Sequence, residues 1–219
     1  MRLSPLPSPL PRGEGANGLI VPVIVIVTPW KPTKEQLLAA EGKTVRDVIA
    51  PRLRVLFCGI NPGLYTAAVG HHFARPGNRF WPALFASGFT DRLLSPFDER
   101  ELLKSGYGIT NVVMRATATA DQLSREEVRA GGKRLITKVK RYQPAFLAVL
   151  GLGAYREGFA QANAVIGRQL LTIGETVVWV LPNPSGLNAH YQAGDLARLF
   201  GELKSAVERA DAVRTPVNT

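Results

Sequence analysis

The sequence predicts an α/β fold, a three-layer α/β/α sandwich with a mostly parallel central sheet. Two short runs almost free of polar residues, 53–57 and 146–150, have the composition of strands covered on both faces. Amphipathic stretches at helical spacing stand between such runs, and alternation of this kind builds a parallel sheet with crossover helices. The 219 residues, 46% of them apolar, suffice for one domain with a real core, and no internal repeat is visible.

The elements follow in order. Residues 1–43 form an N-terminal extension, Pro-rich and partly disordered at "SPLPSPLPRGEGANG". Its apolar run, residues 19–27, is too short to span a bilayer, is broken by Pro22 and makes a poor signal peptide; an extra strand or an apolar tail is expected. Residues 33–49 read as helical with a break near Gly42. The main domain, 44–211, opens with the strand at 53–57 and then a long polar stretch, "CGINPGLYTAAVGHHFARPGNRFW", Cys58 to Trp81. Phe80, Trp81, Leu84 and Phe85 mark a helix over 78–87. A short helix near 99–104 precedes a second strand, "GITNVV".

Ser124 and Glu127 form a capping box, and Val128, Leu135, Ile136 and Val139 give the following helix its apolar stripe. After the strand at 146–150 comes a short helix, 153–159. "QLLTI-GE-TVVWVL" reads as a hairpin with a two-residue Gly-Glu turn. A final helix, 192 to about 210, buries Leu196, Leu199, Phe200, Leu203 and Val207, and residues 212–219 are a tail.

Lys plus Arg number 27 against 17 for Asp plus Glu, a formal charge of +10 that favours a polyanionic partner, nucleic acid foremost. The single cysteine, Cys58, excludes an internal disulfide or a four-cysteine metal site, fits a reducing cytoplasm and is expected to fill the core. His71, His72 and His190 are too few for a metal centre, so no metal and no cofactor are expected. His71 and His72 belong to a polar pocket rim on this reading. Arg75, Arg79, Lys133, Arg134, Lys138, Lys140 and Arg141 are either phosphate contacts or solvated faces.

Ligands bind at the carboxyl ends of parallel strands. Two polar loops leave strands there, "GINPG" (Gly59 to Gly63) and "LPNPSGLNAHY" (Leu181 to Tyr191). Neither contains a nucleotide fingerprint. Asn61 and Asn183 supply carboxamides, able to orient water or bond a carbonyl but not to act as strong bases. Ser185 and Gly186 can offer hydroxyl and N–H groups to phosphate. Leu187 is either an anchor into the core or a wedge into a base stack.

These loops, with "GHHFARPGNRFW", "GFTDR", "YGITN", "EEVRAGGKRL" and "YQPAFLAVLG", resemble the uracil-DNA glycosylase superfamily, most closely its mismatch-specific uracil/thymine DNA glycosylase branch. The resemblance runs from about Thr44 to about Leu203. It implies a monofunctional DNA N-glycosylase that flips uracil, and thymine or other damaged pyrimidines, from mismatched double-stranded DNA and hydrolyses the N-glycosidic bond. It makes Asn61 and Asn183 catalytic, the first holding the attacking water and the second facing the base carbonyl. Ile60, Gly63 and Phe73 become base-binding, with Phe73 stacked on the base. Ser185, Gly186, Leu187, Asn188 and His190 become DNA-binding. The general uracil enzymes carry Asp where Asn61 stands, His where Asn183 stands and Tyr at the position of Gly63. Ala189 stands where close relatives have an Arg. Asp91, Asp98 and Asp121 are carboxylates that could assist Asn61. A monomer in a bacterial-type cytoplasm, near the nucleoid, is expected, with no membrane partner. A mismatch-binding protein without turnover is the alternative; a small-molecule α/β hydrolase fits the charge and the wedge loop less well.

Overall fold

The computed structural model describes residues 31–214; the expectations for residues 1–30 lie outside them. A five-stranded sheet in the order β2-β1-β3-β5-β4 forms the centre. β1 (Val55–Gly59), β2 (Tyr107–Asn111), β3 (Phe146–Leu150) and β5 (Thr176–Leu181) run parallel, and β4 (Gly167–Ile173) pairs antiparallel with β5 as the outer arm of the expected hairpin. All residues of β1, β2 and β3 are buried, as their compositions require.

Successive strand residues face opposite layers. Val55, Phe57, Ala148 and Trp179 meet α3 (Phe80–Ala86) and α6 (Ala193–Arg214) through Phe80, Leu84, Leu196 and Phe200. Leu56, Cys58, Leu147, Val149 and Val178 meet α4 (Arg125–Tyr142) and α5 (Leu152–Gly158) through Leu135, Val139, Tyr155 and Phe159. Cys58 is wholly buried, and burial pushes its thiol well up, against a smaller opposing pull from Lys138. It is a core residue, not a nucleophile.

Two local expectations change. Residues 33–49 do not form one helix: α1 (Lys34–Leu38) is short, capped by Thr33 and Gln36. The chain then runs extended so that Val48 exchanges both backbone hydrogen bonds with Ile109, covering the outer edge of β2. Ala40 is fully buried beside Val45, Ala67 and Ala116, and a compact unit begins at Pro32. The polar stretch after β1 is not all loop, since α2 (Leu64–Val69) lies within it, starting at Gly63 and closed by Gly70 in the left-handed region. The short helix expected near 99–104 is present as a 3-10 helix, Pro96–Ser105; Asp98 caps it through the backbone N–H and hydroxyl of Ser95. Among the described residues no helix is long and apolar enough to cross a membrane.

Candidate active site

β1, β2, β3 and β5 deliver their carboxyl ends to one cavity of about 190 Å³. Cavities of roughly 150 Å³ accept a six-membered ring. The GINPG and NPSGL loops meet there: Gly59 to Gly63 line one side, Asn183, Ser185 and Leu187 another, and Phe73 a third. Thus Asn61, Asn183, Ile60, Gly63, Phe73, Ser185 and Leu187 are brought together. Gly186 and Leu187 border an adjoining groove with Arg75 and Asn78. Asn188 and His190 line neither. The Asn188 amide braces its own loop, donating to the Asn183 carbonyl (3.0 Å) and accepting from the His190 N–H (3.2 Å), while His190 is exposed.

The orientation of Asn61 follows from its partners. Its Nδ2 sits 2.7 Å from Thr117 Oγ1, 3.1 Å from the Arg115 carbonyl and 3.2 Å from the Pro62 carbonyl. Carbonyls only accept, and the Thr117 hydroxyl spends its proton on the Thr119 carbonyl, so the amide nitrogen must face them. Oδ1 is left to serve a ligand. Asn183 is turned the other way: its Oδ1 accepts from the Ser185 N–H at 3.0 Å, and its Nδ2 has no partner among the described residues. One carboxamide therefore offers an acceptor and the other a donor.

Phe73 adopts a left-handed backbone (φ 54°) and stacks on Phe80 with ring centroids 4.1 Å apart. A Cβ on Gly59 would lie 2.6 Å from Asn111 Oδ1 and 3.3 Å from the Phe73 ring, so only glycine lets both approach β1. Gly63 has an ordinary φ of −76°, and nothing lies within 4 Å of where its Cβ would be.

Asn111, Thr117 and Glu99 were not visible as contributors in the sequence, and His72 was expected only at the pocket rim. Asn111, the last residue of β2, lines the cavity with its Nδ2 buried and unpartnered among the described residues; its place at a strand's carboxyl end was the available signal. Thr117 holds Asn61. His72, expected at a rim, is 1% exposed and lines the cavity. Its Nδ1 and backbone N–H lie 2.9 and 2.8 Å from Glu99 Oε2, while His71 Nδ1 lies 3.0 Å from Oε1. A carboxylate accepts, so each histidine carries a proton on Nδ1, and His72 Nε2 remains buried without a partner among the described residues. Burial alone would raise the Glu99 carboxyl, but the His72 side chain, backbone and charge, with His71, hold it below its ordinary value. Nothing in the sequence linked Glu99 to these histidines.

Asp91, Asp98 and Asp121 do not line the cavity, and no other carboxylate among the described residues does. Lys138 is not a phosphate contact, being bonded to Asp47 and Thr110 (2.5 and 2.8 Å). Arg79 is not a solvated face either; it bonds carbonyls of the second loop. Leu187 is 71% exposed, which excludes the core-anchor reading.

The site combines an aromatic face, a carboxamide oxygen left open by Asn61 and the unmatched amide nitrogens of Asn111 and Asn183, and lies at the carboxyl ends of a parallel sheet. The sequence profile of the uracil DNA glycosylase superfamily matches residues 46–207, which contain every element of this cavity. Members of that superfamily are DNA N-glycosylases, hydrolases acting on DNA. By fold, site and sequence, the chain belongs to the uracil DNA glycosylase superfamily.

Proposed function

We propose that the protein is a monofunctional DNA repair glycosylase that flips uracil, and thymine or other damaged pyrimidines, out of mismatched duplex DNA and leaves an abasic site. One observation carries this reading. His72 and Asn111, two residues of a cavity wall shared with Phe73, each keep a buried side-chain nitrogen, Nε2 and Nδ2, without a partner among the described residues. Each such atom costs about 1–3 kcal/mol unless a ligand satisfies it. A flipped pyrimidine supplies what they lack, a planar face for Phe73 and a hydrogen-bonding edge.

In the reaction, the base stacks on Phe73 and its edge meets Asn111 and His72, with the Asn183 amide donating to a carbonyl. The amide donors of Asn111 and Asn183 stabilise the negative charge that grows as the bond to C1′ breaks, while His72, with its proton on Nδ1, presents Nε2 as an acceptor to a ring N–H. Asn61 Oδ1 holds the water that attacks the cationic sugar. A carboxamide cannot ionise, so turnover is slower than with the Asp and His of the general uracil enzymes. No lysine is among the cavity residues, which supports hydrolysis over a Schiff-base lyase reaction. Leu187 enters the gap in the stack. The enzyme acts as a monomer, in the cytoplasm close to the nucleoid.

The test is incubation with duplexes carrying G·U, A·U or G·T and with single-stranded uracil DNA, followed by alkaline cleavage at abasic sites. Excision is expected, with G·U faster than A·U because a weaker pair flips at lower cost. Mismatch binding without alkali-labile sites would instead support a binding protein without turnover.

A further inference from the structure

The loop that carries Leu187 is held from one side by a single residue. Arg79 Nη1 donates to the Tyr191 carbonyl (2.6 Å), and Nη2 donates to the carbonyls of Ser185 (2.6 Å) and Asn188 (2.8 Å). The backbone N–H of the same residue donates to the Pro184 carbonyl (2.9 Å). Four carbonyls of one loop therefore end on one arginine. Ser185 and Asn188 flank Leu187, so the exposed leucine projects from a segment pinned on both sides. The contact is close as well as polar: a Cβ on Gly186 would lie 2.5 Å from the Gly77 carbonyl, so the two loops touch through backbone.

A guanidinium is suited to this task. Its donors form a rigid planar fork that stays charged, whereas a lysine ammonium is a single point on a flexible stem. Carbonyls tied to a cation are also unavailable to other conformations of the loop. The loop's own braces, such as the Asn188 N–H to the Ser185 carbonyl at 3.0 Å, cross only a few residues and do not anchor it to the rest of the protein.

We propose that Arg79 is a positioning residue that sets the Leu187 loop in its DNA-engaging shape before DNA arrives. The proposal rests on the glycosylase reading for its consequence, the wedge, but its structural half stands without it. Setting the loop in advance removes an ordering cost from binding. It also gives this chain, with Ala189 in the place of a relative's Arg, an internal cation that supports the loop from behind.

Two measurements on the full chain test this. The first uses no DNA. Amide hydrogen exchange in Arg79→Lys should accelerate at Leu187, Asn188 and His190 by roughly tenfold, the effect of losing one charge-assisted hydrogen bond, with β1 and β3 unchanged. Unchanged exchange in the loop overturns the proposal. So does acceleration spread equally over the sheet, or unfolding of the variant at the assay temperature, since the residue would then hold the fold and not the loop. The second is single-turnover excision. Arg79→Lys should lose roughly tenfold on G·U duplex and less than about threefold on single-stranded uracil DNA. In a Leu187→Ala background the same change should cost little more, because the wedge it positions is gone. Equal losses on both substrates, or additive losses in the double variant, overturn it. Wild-type protein that leaves every uracil in place would sink the glycosylase reading, while the exchange comparison would still decide the role of Arg79.

Discussion

Thr110 and Asn111 are neighbours at the end of β2, both buried, and face opposite sides of the sheet. On the α4 side, the Thr110 hydroxyl donates to Asp47 Oδ1 (2.8 Å) and accepts from Lys138 Nζ (2.8 Å), and Lys138 reaches Asp47 Oδ2 (2.5 Å). That triangle closes on itself. On the other side, Asn111 lines the cavity and its buried amide nitrogen has no partner among the described residues. Adjacent residues thus meet opposite rules. The Thr110 group is completed within the fold. The Asn111 nitrogen is not, at about 1–3 kcal/mol; side-chain atoms of His72, Arg79, Thr90 and Tyr155 are likewise unpartnered among the described residues, and of these five residues Asn111 and His72 line the cavity.

The largest effect should come from the open side. Asn61→Ala should cut single-turnover excision about a hundredfold, since the water loses its orienting acceptor, while binding to G·U duplex persists and stability falls by about 1–3 kcal/mol, because the Arg115 carbonyl and Thr117 hydroxyl lose their donor. Near-normal excision would move the water-holding role to another residue, and the comparison would lose its main member.

The next pair sets the two neighbours against each other. Lys138→Met leaves Asp47 without its cation and should lower stability by about 1–3 kcal/mol, with excision unchanged below the melt. Asn111→Ala should do the reverse: about tenfold less excision, with stability within about 1 kcal/mol of wild type, because lost packing is offset by removal of an unmet donor. Urea unfolding beside single-turnover assays gives both readings. A stable Lys138→Met protein with poor activity would mean that the closed triangle is not merely structural.

What sequence could and could not show follows the same division. Phe146–Leu150, the Ser124–Glu127 cap and the turn at Gly174 and Glu175 were legible because each is specified within a few residues. The two signature loops were legible because their spacing is distinctive. The Glu99–His72 contact spans 27 residues and the Asn61–Thr117 contact 56, and neither leaves a local pattern. Leu64–Val69 was read as loop because it is only six residues long and opens on a glycine. Arg79 looked like a surface cation because sequence reports a charge but not where its head group ends. Closed contacts between distant residues are what pattern reading misses, whichever side of the sheet they serve.

Gly63 tests how open the open side is. By the resemblance, the general uracil enzymes carry a Tyr at this position, where Gly63 has no side chain. Its φ of −76° is one that tyrosine adopts readily, and the space around its Cβ direction is empty. Gly63→Tyr should therefore fold, as a circular dichroism melt would verify. It should lower excision of a bulkier pyrimidine, such as thymine in G·T, several-fold more than excision of uracil, by roughly the factor that a steric change in a pocket produces. Parallel losses on both bases would mean that the pocket wall beside the base lies elsewhere.

Glu99 joins the two kinds of site, and the smallest effect belongs to it. Both oxygens of its carboxylate are engaged, accepting from His71, His72 and the His72 backbone, yet the histidine it orients lines the cavity and keeps a buried nitrogen without a partner among the described residues. The hydrogen bonds prevail over burial, so its folded pKa lies below the ordinary 4.5. A depressed carboxyl contributes stability that is present above the unfolded value and is lost as pH falls through the folded one. Wild type should therefore lose stability progressively below about pH 4.5. Glu99→Gln keeps the shape but has one accepting oxygen and one donating nitrogen, so it cannot accept from both histidines. At pH 7 it should be less stable by about 1 kcal/mol, and the gap to wild type should narrow as the pH falls below 4.5. Asp98 and Glu127, also held low by their hydrogen bonds, are present in both proteins and cancel in the difference. Urea unfolding at pH 7, 5 and 4 would measure the gap. A difference constant across that range would show that Glu99 acts through packing alone, and the open and closed sides of the molecule would then share no titrating link.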